Sequence, residues 1–164
     1  MVRRSALYFR NFIFGVEDSL VSTVGLLSGI LVGGVPRGTI FLTGIVLILV
    51  EAFSMAAGSF LSESSAQEYV DQEEKGHRPF WGGVVMFISY FVAGFIPLAP
   101  YLIYAEASAA LPVSVAVSLA ALFILGLVGG SLSNGNLLRR GTRMMVVGGV
   151  AIAAGVIAGL VFAV

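Results

Sequence analysis

The stretch NFIFGVEDSLVSTVGLLSGILVG, residues 11–33, is long and apolar enough to cross a membrane, yet it carries two adjacent carboxylates, Glu17 and Asp18. A helix needs about 20 predominantly apolar residues to span the hydrocarbon core of a bilayer. A carboxylate at the bilayer centre costs about 2.5–3.5 kcal/mol on insertion scales. Acids inside such a segment therefore indicate either a function or a pairing with a neighbouring helix.

The composition of the whole chain is that of a membrane protein. Of its 164 residues, 58% are hydrophobic and 11% are charged, whereas about a quarter of a soluble domain is charged. The formal net charge is zero, so no basic surface predicts nucleic-acid binding. Cysteine is absent, which excludes disulfides and thiolate metal sites. We expect the lipid bilayer to be the main surroundings of the chain.

Four further segments qualify as membrane spans: residues 39–61, 80–104, 113–133 and 144–164. Each is too long and continuous to be one of the ~10-residue strands of an outer-membrane barrel. We therefore predict an all-α integral membrane protein with five transmembrane helices, in a single transmembrane domain over residues 1–164. A short polar loop, residues 62–79, separates the second and third spans.

Two prolines, Pro97 and Pro100, fall near the end of the third span. Proline lacks the backbone N–H and clashes with the preceding turn of a helix. We predict that the third helix kinks or unwinds there.

The distribution of basic residues predicts the orientation, because cytoplasmic loops carry an excess of Lys and Arg. With the amino terminus inside, only Arg37 lies outside. The other basic residues are then all cytoplasmic: Arg3, Arg4, Arg10, Lys75, Arg78, Arg139, Arg140 and Arg143. We expect a cytoplasmic amino terminus and an external carboxyl terminus.

Small residues recur every four positions in the first span, at Gly25, Gly29 and Gly33. This spacing lets helix backbones approach closely in lipid. We predict that these glycines form a helix-packing face. Shorter examples occur at Ser54 and Gly58, at Gly126 and Gly130, and at Gly155 and Gly159.

Depth in the membrane can be counted from the polar ends of the first two spans. At 1.5 Å per residue, Asp18 lies about 12 Å beyond Arg10. Counted back from Glu63, Met55 is about 12 Å deep and Glu51 about 18 Å. Glu51 and Met55 are four residues apart and share a helix face. If the two spans are neighbours, Asp18 and Met55 are level and Glu51 lies one turn above.

Asp18, Glu51 and Met55 form a candidate metal site. Carboxylate oxygens bind divalent cations, and a thioether is a soft ligand that Mg²⁺ and Ca²⁺ do not favour. The combination favours Fe²⁺ or Mn²⁺, with Zn²⁺ or Co²⁺ as alternatives. Carboxyls crowded in a low dielectric hold protons until a cation displaces them. Metal binding and proton release would then share one site.

The alternative is that an intramembrane acid is protonated and hydrogen-bonded to a neighbouring helix, through a hydroxyl such as that of Ser22, Thr23 or Ser54. For Glu17 we favour this interpretation, or simple exposure at the interface, because its side chain points about 100° away from that of Asp18. For Asp18 and Glu51 we favour a function, since intramembrane acids mark ion pathways.

Two motifs resemble the vacuolar iron transporter family, which comprises five-helix divalent-metal/proton antiporters. GVEDSLVSTVGLLSG resembles the family's G-x-x-D-G-L-V-S-T-x-x-L-V-x-G, with Asp18 on its acid and Ser19 replacing the usual glycine. EAFSMAAGSFLSESSAQEY is similar to the segment around S-M-x-x-G-E-Y-x-S, with Ser54 and Met55 on the S-M pair.

The remaining spans extend the resemblance over nearly the whole chain. PFWGGVVMFISYFVAGFIPLAPYLI is similar to the third span, including its P-x-x-P ending, and FILGLVGGSLSNGNLLRRGTRMMVVGG resembles the fourth span, basic loop and fifth span. The resemblance implies a homodimer with a metal pathway between the first two spans of both subunits. It also implies that Asp18 and Met55 are pathway ligands.

Three departures from the family pattern bear on the site. Leu47 occupies the position of the usual second-span glutamate, and Glu51 follows one turn later on the same face. Ser59 replaces the acid of the G-E-Y motif. Many members insert a long acidic cytoplasmic domain after the second span, where this chain has only a short loop.

That loop retains acids and a histidine that would suit a weak cytoplasmic metal-capture site: Glu63, Glu68, Asp71, Glu73, Glu74 and His77. Glu73 and His77 form an i,i+4 pair. A solvated linker is the alternative interpretation, and it is the commoner fate of such a charge run.

Together these features predict a transporter of Fe²⁺ or Mn²⁺, coupled to protons and directed out of the cytoplasm. We expect no catalytic residues and no permanently bound cofactor, the metal being the transported ion. We expect the cytoplasmic membrane of a prokaryote, with an organelle membrane as the alternative. The competing hypothesis is a non-transporting membrane scaffold or partner subunit of the same fold.

Overall fold

The computed structural model of the chain describes residues 2–70, 78–131 and 136–163, with side chains described from residue 6 and, in the first range, as far as residue 69. These ranges form five α-helices and no strand: α1 (Val2–Val32), α2 (Arg37–Val70), α3 (Arg78–Ile103), α4 (Ala107–Ser131) and α5 (Leu137–Val161). All five are long and apolar enough to cross a membrane. The predicted fold class is confirmed.

Helix α2 is longer than the predicted span, because it continues from residue 61 to Val70. The first half of the predicted polar loop 62–79 is therefore helical. The sequence from Ser62 to Tyr69 has no Gly or Pro and contains Glu, Ala and Gln, which are good helix formers. Polarity ends a membrane span, but it does not end a helix.

Helix α3 does not unwind at its prolines, since it runs through Pro97 and Pro100 to Ile103. Side chains from neighbouring helices bond to carbonyls of this segment. The Ser114 hydroxyl donates to the Pro97 oxygen at 2.6 Å, and the Arg37 guanidinium donates to the Tyr101 oxygen at 2.9 Å. These bonds hold the last turns of α3 against α4 and α2.

Contacts at the helix ends show the direction of each helix. Asn11 near the start of α1 donates to Ser59 near the end of α2 at 2.9 Å, and to the carbonyl of Gly82 near the start of α3 at 3.0 Å. Arg37, at the start of α2, reaches the end of α3. Helices α1 and α3 are therefore parallel to each other and antiparallel to α2. The alternation continues, because the start of α4 bonds to the end of α3 and the start of α5 bonds to the end of α4.

Helices α1 and α3 lie at the centre of the bundle. Helix α3 packs against α1 and α2, while α1 also packs against α5. Apolar side chains fill the core, in one cluster around Leu27, Ile48 and Leu98 and another around Leu20 and Leu122. Helices α2 and α5 leave large apolar side chains exposed on their outer faces, as is expected of surfaces that contact lipid.

The backbones of α1 and α5 are in direct contact through glycines. A Cβ atom added at Gly29 would lie 2.5 Å from the carbonyl oxygen of Gly155, and one at Gly33 would lie 3.5 Å from that of Gly159. A Cβ at Gly155 would overlap the carbonyl oxygen of Gly25. Only glycine allows this approach, so the small-residue face of α1 has its partner on α5.

We predict different effects for two alanine substitutions on α5. Gly149→Ala should leave stability unchanged or raise it by up to about 1 kcal/mol, because alanine favours helix and nothing lies within 4 Å of the new Cβ atom. Gly155→Ala should lower stability by about 1–3 kcal/mol through overpacking. Unfolding in detergent micelles, followed by circular dichroism, measures both. Changes of the same sign and size would contradict the α1–α5 contact.

Candidate metal pathway in the membrane-spanning helices

A cleft of about 1180 Å³ lies in the half of the bundle where α1 begins. All five helices contribute to its lining. Three methionines line it from three different helices, namely Met55 on α2, Met86 on α3 and Met144 on α5. Glu17 also lines the cleft. It therefore combines an oxygen donor with thioether sulfurs, which are soft metal ligands.

The two adjacent acids of α1 have different surroundings. Glu17 lines the cleft. Asp18 is not in the cleft lining; its carboxylate interacts electrostatically with that of Glu51 on α2. Because successive residues of a helix are rotated by about 100°, the two carboxylates face different helices.

A tyrosine on α3 completes the surroundings of Asp18 and Glu51. Tyr90 is buried, and its hydroxyl is within electrostatic range of both carboxylates. The hydroxyls of Tyr90 and Ser22 share a hydrogen bond of 2.7 Å. Ser22 is four residues beyond Asp18 and lies on the same face of α1. The polar cluster of Asp18, Glu51, Ser22 and Tyr90 thus joins α1, α2 and α3.

Helix α3 is held against α1 beside this cluster by Ser19. Its hydroxyl donates to the carbonyl oxygen of Tyr90 at 2.7 Å. A Cβ atom at Gly94 would lie 2.9 Å from the Ser19 Oγ, so the two helices are closely packed there. Ser19 stands where the first-span family motif has glycine, and its hydroxyl forms a hydrogen bond between α1 and α3.

The structure places Glu51, rather than Met55, near the level of Asp18. The short side chains of Asn11 and Ser59 are in contact, and since α1 and α2 are antiparallel, residue 18 then lies beside residue 52. The predicted height of Met55 was therefore wrong by about one turn, because depth was counted from Arg10 and Glu63. Those two long side chains reach each other at 3.6 Å although their backbones are not level.

The described residues contain no group of three or more His, Cys, Asp or Glu side chains that could hold a metal ion. The fold places two membrane-embedded carboxylates, Asp18 and Glu51, at about the same level and within electrostatic range of each other. Met55 lies in the neighbouring cleft with Glu17.

The candidate capture residues are only partly described. Glu63 pairs with Arg10 at 3.6 Å, and Glu68 is exposed near the end of α2. The others lie outside the described residues: Asp71, Glu73, Glu74 and His77.

Sequence reasoning did not single out Tyr90, Met86, Met144 or Arg143 as parts of a site. A tyrosine inside the third span is a weak signal, because its hydroxyl needs a partner in the membrane. Met86 and Met144 look like packing residues in the sequence, and only tertiary structure brings them to one cleft.

The sequence profile of the VIT family matches residues 9–79 and 66–160, which together cover most of the chain. The chain therefore belongs to the VIT family of vacuolar iron transporters. Membership indicates metal-ion transport across a membrane. A comparison with curated proteins finds no match.

Two buried tyrosines on α3 provide a matched test of the polar cluster. We predict that Tyr90→Phe raises about tenfold the Mn²⁺ concentration needed to stabilise the protein. The loss of a group that orients metal ligands lowers metal affinity by that order. Tyr101→Phe should have no such effect, because Tyr101 lies at the other end of α3 beside Arg37. Thermal unfolding in detergent at increasing Mn²⁺ concentration measures the difference, and equal shifts would exclude Tyr90 from the site.

Proposed function

We propose that the chain transports Fe²⁺ or Mn²⁺ out of the cytoplasm in exchange for protons. The proposal is carried by the placement of Asp18 on α1 and Glu51 on α2 at about the same level and within electrostatic range, inside membrane-spanning segments. Two carboxylates that interact in a low dielectric repel each other, and a positive charge between them relieves the repulsion. Either protons or a metal ion can supply the positive charge, and one site can exchange them.

The cleft beside the acids supports the choice of metal. Met55 lies one turn beyond Glu51 on α2 and lines the cleft. A thioether next to carboxylates favours a transition metal over Mg²⁺ or Ca²⁺. Fe²⁺ and Mn²⁺ also accept carboxylate oxygens, so both fit the donor set.

A homodimer would complete the coordination that one chain begins. First-row divalent metals in oxygen-rich sites favour octahedral coordination, and one chain supplies two carboxylates. Ser54 and Gly58 of α2 are exposed, and nothing lies within 4 Å of a Cβ atom at Gly58. This small, partly polar face suits close approach of a second helix in lipid. We propose that α1 and α2 of two copies meet there.

The proposed direction of transport rests on the basic residues. Arg10, Arg78 and Arg140 lie at the end of the bundle where α1 begins, and Arg37 lies at the other end. The positive-inside rule then assigns the cleft to the cytoplasmic side. Metal would enter from the cytoplasm through the cleft and reach Asp18 and Glu51.

A non-transporting scaffold of the same fold is the second candidate. Leu47 stands where the family pattern has its second-span glutamate, and a leucine side chain cannot bind metal. Wild-type protein in liposomes decides between the two candidates: the absence of Mn²⁺ and Fe²⁺ flux under an imposed pH gradient would favour the scaffold.

We predict that Asp18→Asn and Glu51→Gln each reduce Mn²⁺ flux into liposomes by about tenfold or more, because each removes an anionic ligand. Glu106→Gln is the matched control, since Glu106 is exposed between α3 and α4. Its flux should equal that of wild type. Unchanged flux in both site variants would remove these acids from the mechanism.

We further predict that Mn²⁺ flux drives proton movement in the opposite direction. A pH-sensitive dye inside the liposomes should report a Mn²⁺-dependent change in wild type, because the metal displaces protons from the carboxylates. The change should be absent in Asp18→Asn. Mn²⁺ flux without any dye response would show a uniporter instead.

A further inference from the structure

Arginines outnumber acids in the cleft at the end of the bundle where α1 begins. Arg10, Arg140 and Arg143 line it, and Glu17 is the one acid among its described lining residues. A concave surface lined mainly by one sign of charge concentrates ions of the opposite sign. The electrostatics of the cleft therefore favour an anionic ligand.

The three arginines differ in how far the protein satisfies them. Arg10 pairs with Glu63 at 3.6 Å. The Arg140 guanidinium donates to the carbonyl oxygen of Gly129 at 2.9 Å, which uses one of its five N–H donors. Arg143 is exposed, and no ion pair joins it to a described carboxylate. Most donors of Arg140 and Arg143 thus remain available to a ligand.

These two arginines lie inside the membrane-spanning segment of α5, Leu137–Val161. At 1.5 Å per residue, Arg140 is about 4.5 Å and Arg143 about 9 Å from the first residue of that helix. The whole helix is about 38 Å long at this rise, whereas the hydrocarbon core of a bilayer is about 30 Å thick. Both residues therefore lie near the boundary between the hydrocarbon core and the lipid headgroups.

The walls beside these arginines are apolar and reach the surface of the bundle. Val147, one turn deeper than Arg143 on α5, and Phe14 of α1 both line the cleft. Val147 is 43% exposed and Phe14 is 48% exposed. Helices α2 and α5 both pack against α1, but their described residues form no extended contact with each other. The cleft thus combines donors at headgroup level with an apolar surface that faces lipid.

We propose that the cleft binds one anionic phospholipid, whose phosphate accepts hydrogen bonds from the guanidiniums of Arg140 and Arg143. Its acyl chain lies along Val147 and Phe14. A guanidinium can donate two parallel N–H bonds to one phosphate, and basic pockets between membrane helices on the cytoplasmic side bind anionic headgroups. A soluble phosphate would satisfy the arginines but leave the apolar walls uncovered. The inference does not depend on the proposed transport function.

A bound lipid is compatible with passage of a metal through the same cleft. The two arginines are on α5, whereas Ser54 and Met55 line the cleft from α2. The cleft volume of about 1180 Å³ exceeds the roughly 300–1,000 Å³ of most small-molecule pockets. Because the phosphate is anionic, it also weakens the positive field that a cation meets there.

The test uses the purified full chain in an uncharged detergent, with phosphatidylglycerol or phosphatidylcholine added in increasing amounts. Thermal unfolding gives the Kd for each lipid, and native mass spectrometry counts the lipid molecules retained. Wild type should retain one phosphatidylglycerol per chain. It should bind this lipid about tenfold or more tightly than phosphatidylcholine, since each basic residue contributes about fivefold to binding an anionic lipid surface.

Three variants locate the site. Arg143→Gln should raise the Kd for phosphatidylglycerol about fivefold, because it removes one basic residue. Arg143→Lys keeps the charge and should retain most of the affinity. Arg139→Gln is the matched control, since Arg139 is at the same end of α5 but does not line the cleft. Its Kd should stay within about twofold of wild type, because salt screens an exposed charge away from the ligand.

Glycerol phosphate distinguishes a lipid site from a site for free phosphate, because it carries the same phosphate without acyl chains. It should not displace phosphatidylglycerol even in large excess, since it gains nothing from the apolar walls. Displacement by glycerol phosphate would overturn the proposal.

Two further results would also overturn it. Equal affinity for the two lipids would show that the arginines do not select an anionic headgroup. Equal losses in Arg139→Gln and Arg143→Gln would show a general attraction of this end of the bundle to anionic surfaces. Unfolding of each variant without lipid checks that it is folded, and the lipid preference and the competition in wild type decide the question without any variant.

Discussion

Negative charge inside a membrane must be compensated, and this constraint governs the arrangement of the helices around α1. Glu17 and Asp18 are adjacent in sequence, so the helix turns them towards different neighbours. The charge of Asp18 interacts with Glu51 and Tyr90, and the charge of Glu17 interacts with Arg143. Because α1 is central, other helices of the bundle surround both carboxylates.

Small residues make that central position possible. Gly29 and Gly155 bring the backbones of α1 and α5 into contact, and Gly94 of α3 approaches Ser19 of α1 equally closely. Without a hydrophobic driving force between helices in lipid, such packing and interhelical hydrogen bonds hold the bundle together. The same contacts set the heights of the acids, so packing and the candidate metal pathway are not separable in this protein.

Local patterns in the sequence were enough to predict five spans, the packing face of α1 and the position of Asp18 and Glu51 inside membrane-spanning helices. They failed where a result depended on two helices at once. The height of Met55 was counted from Arg10 and Glu63, whose long side chains meet although their backbones are offset. The end of α2 was set by polarity, which does not interrupt helical hydrogen bonding.

The sequence by itself determined the fold class and the membrane-embedded acids, because hydropathy and helical periodicity are properties of one segment. Tertiary structure alone decided that Asp18 lies near Glu51 and Tyr90, and that Glu17 shares a cleft with Arg143 and Met55. The rotation and axial offset of each helix depend on contacts with side chains far away in the chain. No single segment contains that information.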